Sequence, residues 1–148
     1  MHAADLPDNE SQRLAALHGL HVLDTADDEG FARLTQLACE LFDVPTSLVS
    51  LVDRDRQWFK ARQGLDACET NREVSFCAHA VAADAPLVVE DTHEDERFFD
   101  NPLVTGAPHI RFYAGHPLRP AQGMVVGTLC LIGPEPRPFS DRDRRLLE

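Results

Sequence analysis

The spacing of the apolar residues changes at Pro45, and this change limits the chain to a mixed fold. Before Pro45, apolar residues recur at the spacing of one helical stripe: Phe31, Leu34, Ala38, Leu41 and Phe42. They predict a helix that begins near residues 25–28. After Pro45, residues 46–53 are rich in β-branched and apolar side chains on both faces, which is typical of a central strand. Such a chain packs helices on a sheet.

The remaining segments extend this pattern to the order α-α-β-β-α-β-loop-β-β-α. Asp8 or Asn9 can cap a first helix, and Ser140 begins a capping box for a last helix that we expect to continue past Glu148. Residues 76–83 predict a short helix between strands. The other predicted strands are residues 56–64, 86–91, 111–118 and 124–132. The order favours an α+β fold with an antiparallel sheet and gives no βαβ alternation.

Residues 56–64 form the returning strand of a predicted hairpin. Period-two alternation places Phe59 and Ala61 on one face. The other face carries Trp58, Lys60 and Arg62.

Length and charge narrow the class of protein. At 148 residues, the chain fits one domain. We expect residues 1–8 to be a disordered lead-in and residues 9–148 to form a single domain. The net charge of −11 disfavours binding to nucleic acids and to anionic membranes. The sequence contains neither a membrane-length apolar run nor an export signal, so we expect a cytoplasmic protein without membrane insertion.

The cysteines, Cys39, Cys68, Cys77 and Cys130, lack the spacing of a zinc site. We therefore expect free thiols and no metal, with Cys39 and Cys130 as small core residues. No catalytic triad, paired catalytic carboxylate or phosphate-binding loop is evident, so the sequence predicts that the domain is not an enzyme.

Several segments together resemble bacterial GAF domains of signalling proteins, in the order of that family. They are residues 74–81 (VSFCAHAV), 88–92 (VVEDT), 95–98 (DERF), 101–106 (NPLVTG), 110–115 (IRFYAG) and 127–132 (GTLCLI). Residues 13–25 (RLAALHGLHVLDT) also resemble the lead-in of GAF domains attached to histidine kinases and diguanylate cyclases.

The resemblance implies a GAF/PAS-like antiparallel sheet of about five or six strands, with helices on one face and a ligand pocket on the other. Residues 65–83 and 92–110 would roof this pocket. It further implies a regulatory, sensory domain that binds a small molecule, forms a homodimer through its terminal helices and controls a downstream output domain of the kinase or cyclase type. The residues identify neither the ligand nor a cofactor.

The candidate pocket residues come from the roof and from the strands below it. They are Trp58, Phe76, Cys77, His79, Asp91, Phe98, Arg111, Phe112, Tyr113, Thr128 and Cys130. Each has a structural alternative: His79 can be a hydrogen-bonded core residue, and Arg111 can pair with Asp91 or Glu94. Thr128 and Cys130 share one face of the last strand by alternation, where they can simply pack in the core.

Three other functions follow from the same residues. A ligand-free interaction module would fill the pocket with Trp58, Phe76, Phe98 and Phe112. A redox-sensing thiol protein, or one similar to free methionine-R-sulfoxide reductases, would use Cys68 and Cys77, although residues 87–118 lack the third roof cysteine of those enzymes.

Covalent attachment of a bilin is a further possibility within the family. Relatives that attach one carry a cysteine directly followed by a histidine near this position. Ala78 separates Cys77 from His79 here, which argues against such attachment.

Overall fold

The computed structural model describes residues 3–120 and 123–147. Within them, the helices are α1 (Glu10–Gly19), α2 (Glu29–Phe42), α3 (Phe76–Ala83), α4 (Pro102–Thr105) and α5 (Asp141–Leu147). The strands are β1 (Thr46–Val52), β2 (Arg56–Gln63), β3 (Glu69–Asn71), β4 (Leu87–Val89), β5 (Phe112–Leu118) and β6 (Gly127–Gly133). Two short 3₁₀ turns cover Arg72–Val74 and Thr92–Glu94. No helix of the described residues is long and apolar enough to cross a membrane.

The strands form one antiparallel sheet in the order β3-β2-β1-β6-β5-β4. All seven residues of β1 are buried, as expected for a central strand. The predicted α+β fold is therefore confirmed. The sequence pattern did not predict β3 or α4, because each is too short to show a period.

The two faces of the sheet carry different layers. The helix face packs against α1, α2 and α5 through two clusters of buried side chains: Ala38, Phe42, Phe112, Leu131, Phe139 and Leu147 in one, and Leu17, Leu51, Trp58 and Val126 in the other. The cavity face packs against α3 and the loops that follow β2 and β4. Ala4, in the predicted lead-in, contacts this second layer.

Helix α2 begins at a strong cap, and only Ala38 and Phe42 of the predicted stripe are buried against the sheet. The Asp28 carboxylate accepts the backbone N–H groups of Gly30 and Phe31, which satisfies two donors of the first turn. The residues that face the sheet are Thr35, Ala38 and Phe42. Phe31, Leu34, Leu37 and Leu41 are exposed by 38%, 39%, 58% and 53%. Apolar residues surround more of this helix than the sheet can cover, so periodicity alone could not select the buried side.

A β-bulge changes the faces of β2 after Phe59. Ser50 pairs with Phe59, whereas the preceding residue of β1, Val49, pairs with Ala61. Lys60 is thus the extra residue, and the alternation shifts by one position. Arg62 pairs with Leu48 on the cavity face. The predicted faces of Ala61 and Arg62 are therefore wrong, because strict alternation assumes a strand without a bulge.

Candidate functional site

A cavity of about 360 Å³ lies between the sheet, α3 and the roof loops. Most of its wall is apolar: Leu48, Phe59, Leu65, Ala67, Phe76, Leu103, Ala107, Pro108, Ile110 and Ile132. Polar groups come from Gln57, Asp66, Thr70, Tyr113 and the thiols of Cys77 and Cys130. Among the described residues, no Lys, Arg or His side chain lines this cavity.

The start of α3 is fixed to the sheet by a capping serine. The Ser75 hydroxyl accepts the backbone N–H of Ala78 at 3.0 Å and donates to Gln57 Oε1 at 2.7 Å. Gln57 Oε1 also accepts from Ser50, and its amide donates to Thr70. This network satisfies a buried amide and holds the first residues of α3, Phe76 and Cys77, against the cavity.

Cys77 is the centre of a second polar cluster at the floor of the cavity. Its sulfur lies 3.0 Å from the Tyr113 hydroxyl and accepts a hydrogen bond from Thr128 Oγ1, also at 3.0 Å. The two hydroxyls are 3.4 Å apart. A Cβ at Gly115 would overlap the Tyr113 hydroxyl. A glycine two residues after Tyr113 on the same face therefore makes room for this hydroxyl to reach the sulfur.

The surroundings of the Cys77 sulfur favour its ionised form. Burial raises the pKa of this thiol, but the neighbouring Cys130 thiol and the contacts with Thr128 and Tyr113 outweigh burial and lower it to about 6. Hydrogen bonding to Cys77, together with burial, raises the pKa of Cys130. Burial and the neighbouring sulfur raise the pKa of Tyr113. Cys77 is thus the group that ionises first, and its neighbours keep their protons.

The structure places four of the predicted pocket residues in the cavity wall: Phe76, Cys77, Tyr113 and Cys130. Thr128 is buried behind the wall and contacts it only indirectly, by donating a hydrogen bond to the Cys77 sulfur. Phe98 is fully buried and stacks on Phe76, with 4.0 Å between ring centroids. The rings of His79 and Phe98 form a T-shaped contact, with 4.8 Å between their centroids. Phe98 thus packs against two residues of α3, Phe76 and His79.

Asp91 and Arg111 lie outside the cavity wall and contact each other. The guanidinium of Arg111 donates to Asp91 Oδ1 from Nη2 at 3.1 Å and from Nε at 3.2 Å. This is the structural alternative in which Arg111 pairs with Asp91.

Trp58 and Phe112 lie on the helix face, whereas the sequence prediction placed them in the pocket. Trp58 packs with Leu17, and Phe112 packs with Phe139 at 5.6 Å between ring centroids. The reason is alternation along each strand: Gln57 and Tyr113, their neighbours, occupy the cavity face. The pocket filled by Trp58, Phe76, Phe98 and Phe112, as predicted for a ligand-free module, does not occur.

The sulfurs of Cys68 and Cys77 contact different groups. Cys68 is exposed, and its sulfur accepts from the Arg62 guanidinium at 3.1 Å. All four cysteines are free thiols. No group of three or more His, Cys, Asp or Glu residues in the described ranges could hold a metal ion.

The sequence prediction missed Gln57 and the apolar roof residues. Gln57 carried a signal, because a glutamine on the same face as Phe59 of a buried strand needs partners. Leu65, Leu103 and Ile110 lie in segments without periodicity, so only the folded chain shows that they meet over one cavity.

Comparison with known proteins places the chain in a family. The sequence profile described as GAF domain matches residues 28–148. A cyclic di-GMP phosphodiesterase of Pseudomonas aeruginosa is 44% identical over 143 residues, which is 96% of this chain. The chain spans only 24% of the length of that relative.

Two solved structures have the same fold at low sequence identity. The GAF domain of an Acinetobacter phosphoenolpyruvate-protein phosphotransferase has a TM-score of 0.66 and 15% identity, covering 92% of this chain and 85% of that one. A free methionine-R-sulfoxide reductase from Neisseria meningitidis has a TM-score of 0.63 and 20% identity, covering 97% of this chain and 87% of that one. At these identities the likeness concerns the fold alone.

Proposed function

Because the chain belongs to the GAF domain family, we propose that it is a regulatory domain that binds a small, neutral and mostly apolar molecule in the cavity below α3. The observation that carries this proposal is the cavity itself. Its volume of about 360 Å³ is within the range of about 300–1,000 Å³ typical of small-molecule sites. An apolar wall with a few polar groups favours a ligand with an apolar body and one or two hydrogen-bonding atoms.

The charge of the wall argues against a phosphate-bearing ligand. Phosphate recognition uses Arg or Lys side chains, or free N–H groups at a helix N-terminus. The wall lacks a basic side chain among the described residues and contains Asp66. Ser75 already accepts the N–H of Ala78 at the start of α3. Cyclic nucleotides therefore fit this cavity poorly.

A fluorescent probe tests the proposal directly. We expect 1-aminoanthracene, an apolar amine without a formal charge at neutral pH, to bind with increased fluorescence, and we expect cyclic di-GMP and cyclic GMP not to displace it. Leu103→Trp puts a larger side chain in the wall and should abolish binding. Leu6→Trp, at a position that is 65% exposed, is the matched control. Equal binding by both variants would refute the cavity as the site.

For the output, we propose that the domain regulates an enzyme that acts on cyclic di-GMP within a longer protein. The support is the 44% identity to a cyclic di-GMP phosphodiesterase, of which this chain spans 24%. This output differs from the kinase or cyclase expected from the sequence. In this proposal cyclic di-GMP is the substrate of the output domain and not the ligand of the cavity. We also expect the full protein to be cytoplasmic.

Phosphodiesterase assays on the full-length protein test this second step. We expect the Leu103→Trp variant to change the hydrolysis rate of cyclic di-GMP several-fold, while Leu6→Trp leaves it at the parent value. A full-length parent that hydrolyses no cyclic di-GMP would refute the proposed output. If the parent is active but the two variants behave alike, regulation through the cavity is refuted instead.

An ion cluster supplies a physical connection between the roof and a terminal helix. Glu10 on α1 accepts from Arg72 at 2.6 Å and from Arg13 at 2.9 Å. Arg72 lies in the 3₁₀ turn directly before α3, and Arg13 is 1% exposed. We propose that a ligand-induced shift of α3 reaches α1 through this cluster.

We propose a homodimer in which α2 extends the contact of the terminal helices. The exposed large apolar residues of α1's C-cap, α2 and α5 are Leu20, Phe31, Leu34, Leu37, Leu41 and Leu146. Leu34, Leu37 and Leu41 follow the three-four spacing of a coiled-coil seam, which is complementary to a second copy of itself. Light scattering should show a dimer for the parent and for Leu6→Arg, and a monomer for Leu37→Arg. A monomeric parent would refute the dimer.

For methionine sulfoxide reduction, we expect no turnover of free methionine sulfoxide with thiol recycling. The Cys68 and Cys77 sulfurs contact different partners, and residues 87–118 contain no cysteine. The Neisseria meningitidis reductase is the positive control for the assay. Turnover that Cys77→Ser abolishes would contradict the regulatory assignment.

A further inference from the structure

We propose that Cys77 and Cys130 form a dithiol that an organic hydroperoxide oxidises to a disulfide at the floor of the cavity. This pair differs from the Cys68 and Cys77 pair that the sequence suggested. The reaction is an activity of the domain's own side chains and does not depend on the binding of a regulatory ligand.

The two thiols both border the floor of the cavity. Cys77 is the second residue of α3, and Cys130 is the central residue of β6. Both line the cavity, where Cys77 is 2% exposed and Cys130 is 0% exposed. Thr128, which donates to the Cys77 sulfur at 3.0 Å, lies two residues before Cys130 on the same face of β6, so alternation places the Cys130 side chain beside that sulfur. In the disulfide that we propose, the two sulfurs approach to the bonded separation of about 2.05 Å.

The surroundings of the two sulfurs give them different roles. Cys77 accepts from Thr128 and is in contact with the Tyr113 hydroxyl, both at 3.0 Å. It also lies in the first turn of α3, where the helix dipole favours a negative charge. These contacts lower the pKa of Cys77, whereas the neighbouring Cys77 and burial raise the pKa of Cys130. Cys77 is therefore the nucleophile, and Cys130 is the thiol that resolves the oxidised product.

The reaction proceeds in two balanced steps. The Cys77 thiolate attacks the distal peroxide oxygen: the S–O bond forms, the O–O bond breaks, and the alkoxide takes a proton to leave as an alcohol. The Cys130 sulfur then attacks the sulfur of the Cys77 sulfenic acid, which breaks the S–O bond, and the hydroxide leaves with the Cys130 proton as water. The net change is two thiols and one hydroperoxide to one disulfide, one alcohol and one water.

The wall of the cavity selects the class of oxidant. Leu48, Phe76 and Ile132 lie around the thiols and present apolar surface. A hydroperoxide with an apolar body gains binding free energy from this wall, at about 25 cal/mol for each Å² buried. Hydrogen peroxide buries almost no apolar surface. Cumene hydroperoxide should therefore react faster than hydrogen peroxide at equal concentration.

Oxidation would also alter the cavity. A Cys77–Cys130 bond removes the thiolate that the Tyr113 and Thr128 hydroxyls contact. Buried hydroxyls that lose a partner are costly, so the start of α3 should shift against β6. The redox state of the pair would then change how the roof of the cavity sits on the sheet.

The test uses a Cys39→Ser, Cys68→Ser parent, in which the proposed pair is the whole thiol content. With one equivalent of cumene hydroperoxide, intact mass should fall by two hydrogens, and peptide mapping should join Cys77 to Cys130. Adding Cys130→Ser should give a sulfenic acid at Cys77 that dimedone traps. Adding Cys77→Ser should leave Cys130 unlabelled.

Three results would overturn the proposal. One is that the parent forms no disulfide after oxidant treatment, so that both thiols still react with a thiol reagent once the protein is unfolded. Another is dimedone label on Cys130 in the Cys77→Ser variant. The third is an oxidation rate for hydrogen peroxide that equals or exceeds that for cumene hydroperoxide. Binding of 1-aminoanthracene to the reduced form of each variant is measured separately and shows whether that variant has kept its fold and its cavity.

Discussion

The helix face and the cavity face use alternate residues of the same strands, yet they are packed differently. On the helix face, Phe139 fills the space between Phe42 and Phe112, with centroid distances of 5.8 and 5.6 Å. On the cavity face, the next residue of β5, Tyr113, borders a space of about 360 Å³ and holds a polar contact with Cys77. One side of the sheet is closely packed, and the other borders an open cavity.

The difference in packing means that substitutions on the two faces should affect stability unequally. Close packing on the helix face leaves little room for a change in volume without a loss of stability. The cavity face already lacks part of that packing, so its residues can change with a smaller loss. Substitutions on the two faces test whether the helix face contributes more to stability than the cavity face.

Replacing Phe112 should be the most damaging change. Phe112 is fully buried, and Phe112→Ala should lower the free energy of unfolding by about 3–5 kcal/mol, since it removes an aromatic ring from a packed cluster. Leu103→Ala, a half-buried residue of the cavity wall, should cost less than about 2 kcal/mol because its side already borders space. Urea denaturation measures the free energy of unfolding of both variants. Equal losses would contradict the difference in packing between the two faces.

Removing the charge of Glu10 should have the next largest effect. Glu10→Gln leaves Arg13 and Arg72 without their carboxylate and should cost about 2 kcal/mol, less than a fully buried pair because Glu10 is 16% exposed. Burial raises the pKa of Glu10, but its bonds to the two arginines prevail and lower it to about 2, from 4.5.

The pH dependence of unfolding checks the same cluster. Because the pKa of Glu10 is depressed in the folded state, its stabilisation is complete above about pH 4.5 and is lost as the pH falls towards 2. The difference in stability between the parent and Glu10→Gln should therefore shrink as the pH falls through this range. A difference that stays constant down to pH 2 would show that the charge of Glu10 does not stabilise the fold.

The smallest change in stability should come from the hydroxyl on the cavity face. Tyr113→Phe should cost about 1 kcal/mol, the worth of one hydrogen bond. It should also raise the pKa of Cys77 from about 6, because the thiolate loses a contact.

Alkylation separates these two effects of Tyr113→Phe. In the Cys39→Ser, Cys68→Ser parent, the rate with iodoacetamide should increase with pH through about 6 as Cys77 ionises. In Tyr113→Phe this increase should move to higher pH and lower the rate at pH 7 about twofold to tenfold, as a rise of one to two pKa units would. Unchanged 1-aminoanthracene binding is the control for an intact cavity, and an unchanged pH profile would refute the role of the hydroxyl.

Local sequence signals predicted those secondary-structure elements that depend only on neighbouring residues. The start of α2, predicted near residues 25–28, the helix after Ser75 and the hairpin after Thr46 each depend on a few neighbouring residues. The family resemblance added the sheet with a pocket on one face, and the structure confirms that fold.

Contacts between distant segments decided what the sequence could not. Nothing local marks Lys60 as the bulge that turns Arg62 to the cavity face, or selects Thr35 over Leu34 and Leu41 for the buried side of α2. The Cys77 cluster joins residues separated by 36 and 51 positions. The sequence determined the elements and their order, because these follow from local periodicity and capping. Only tertiary packing decided which thiols, hydroxyls and apolar loops share one cavity, because that depends on register and on the space the packed layers leave open.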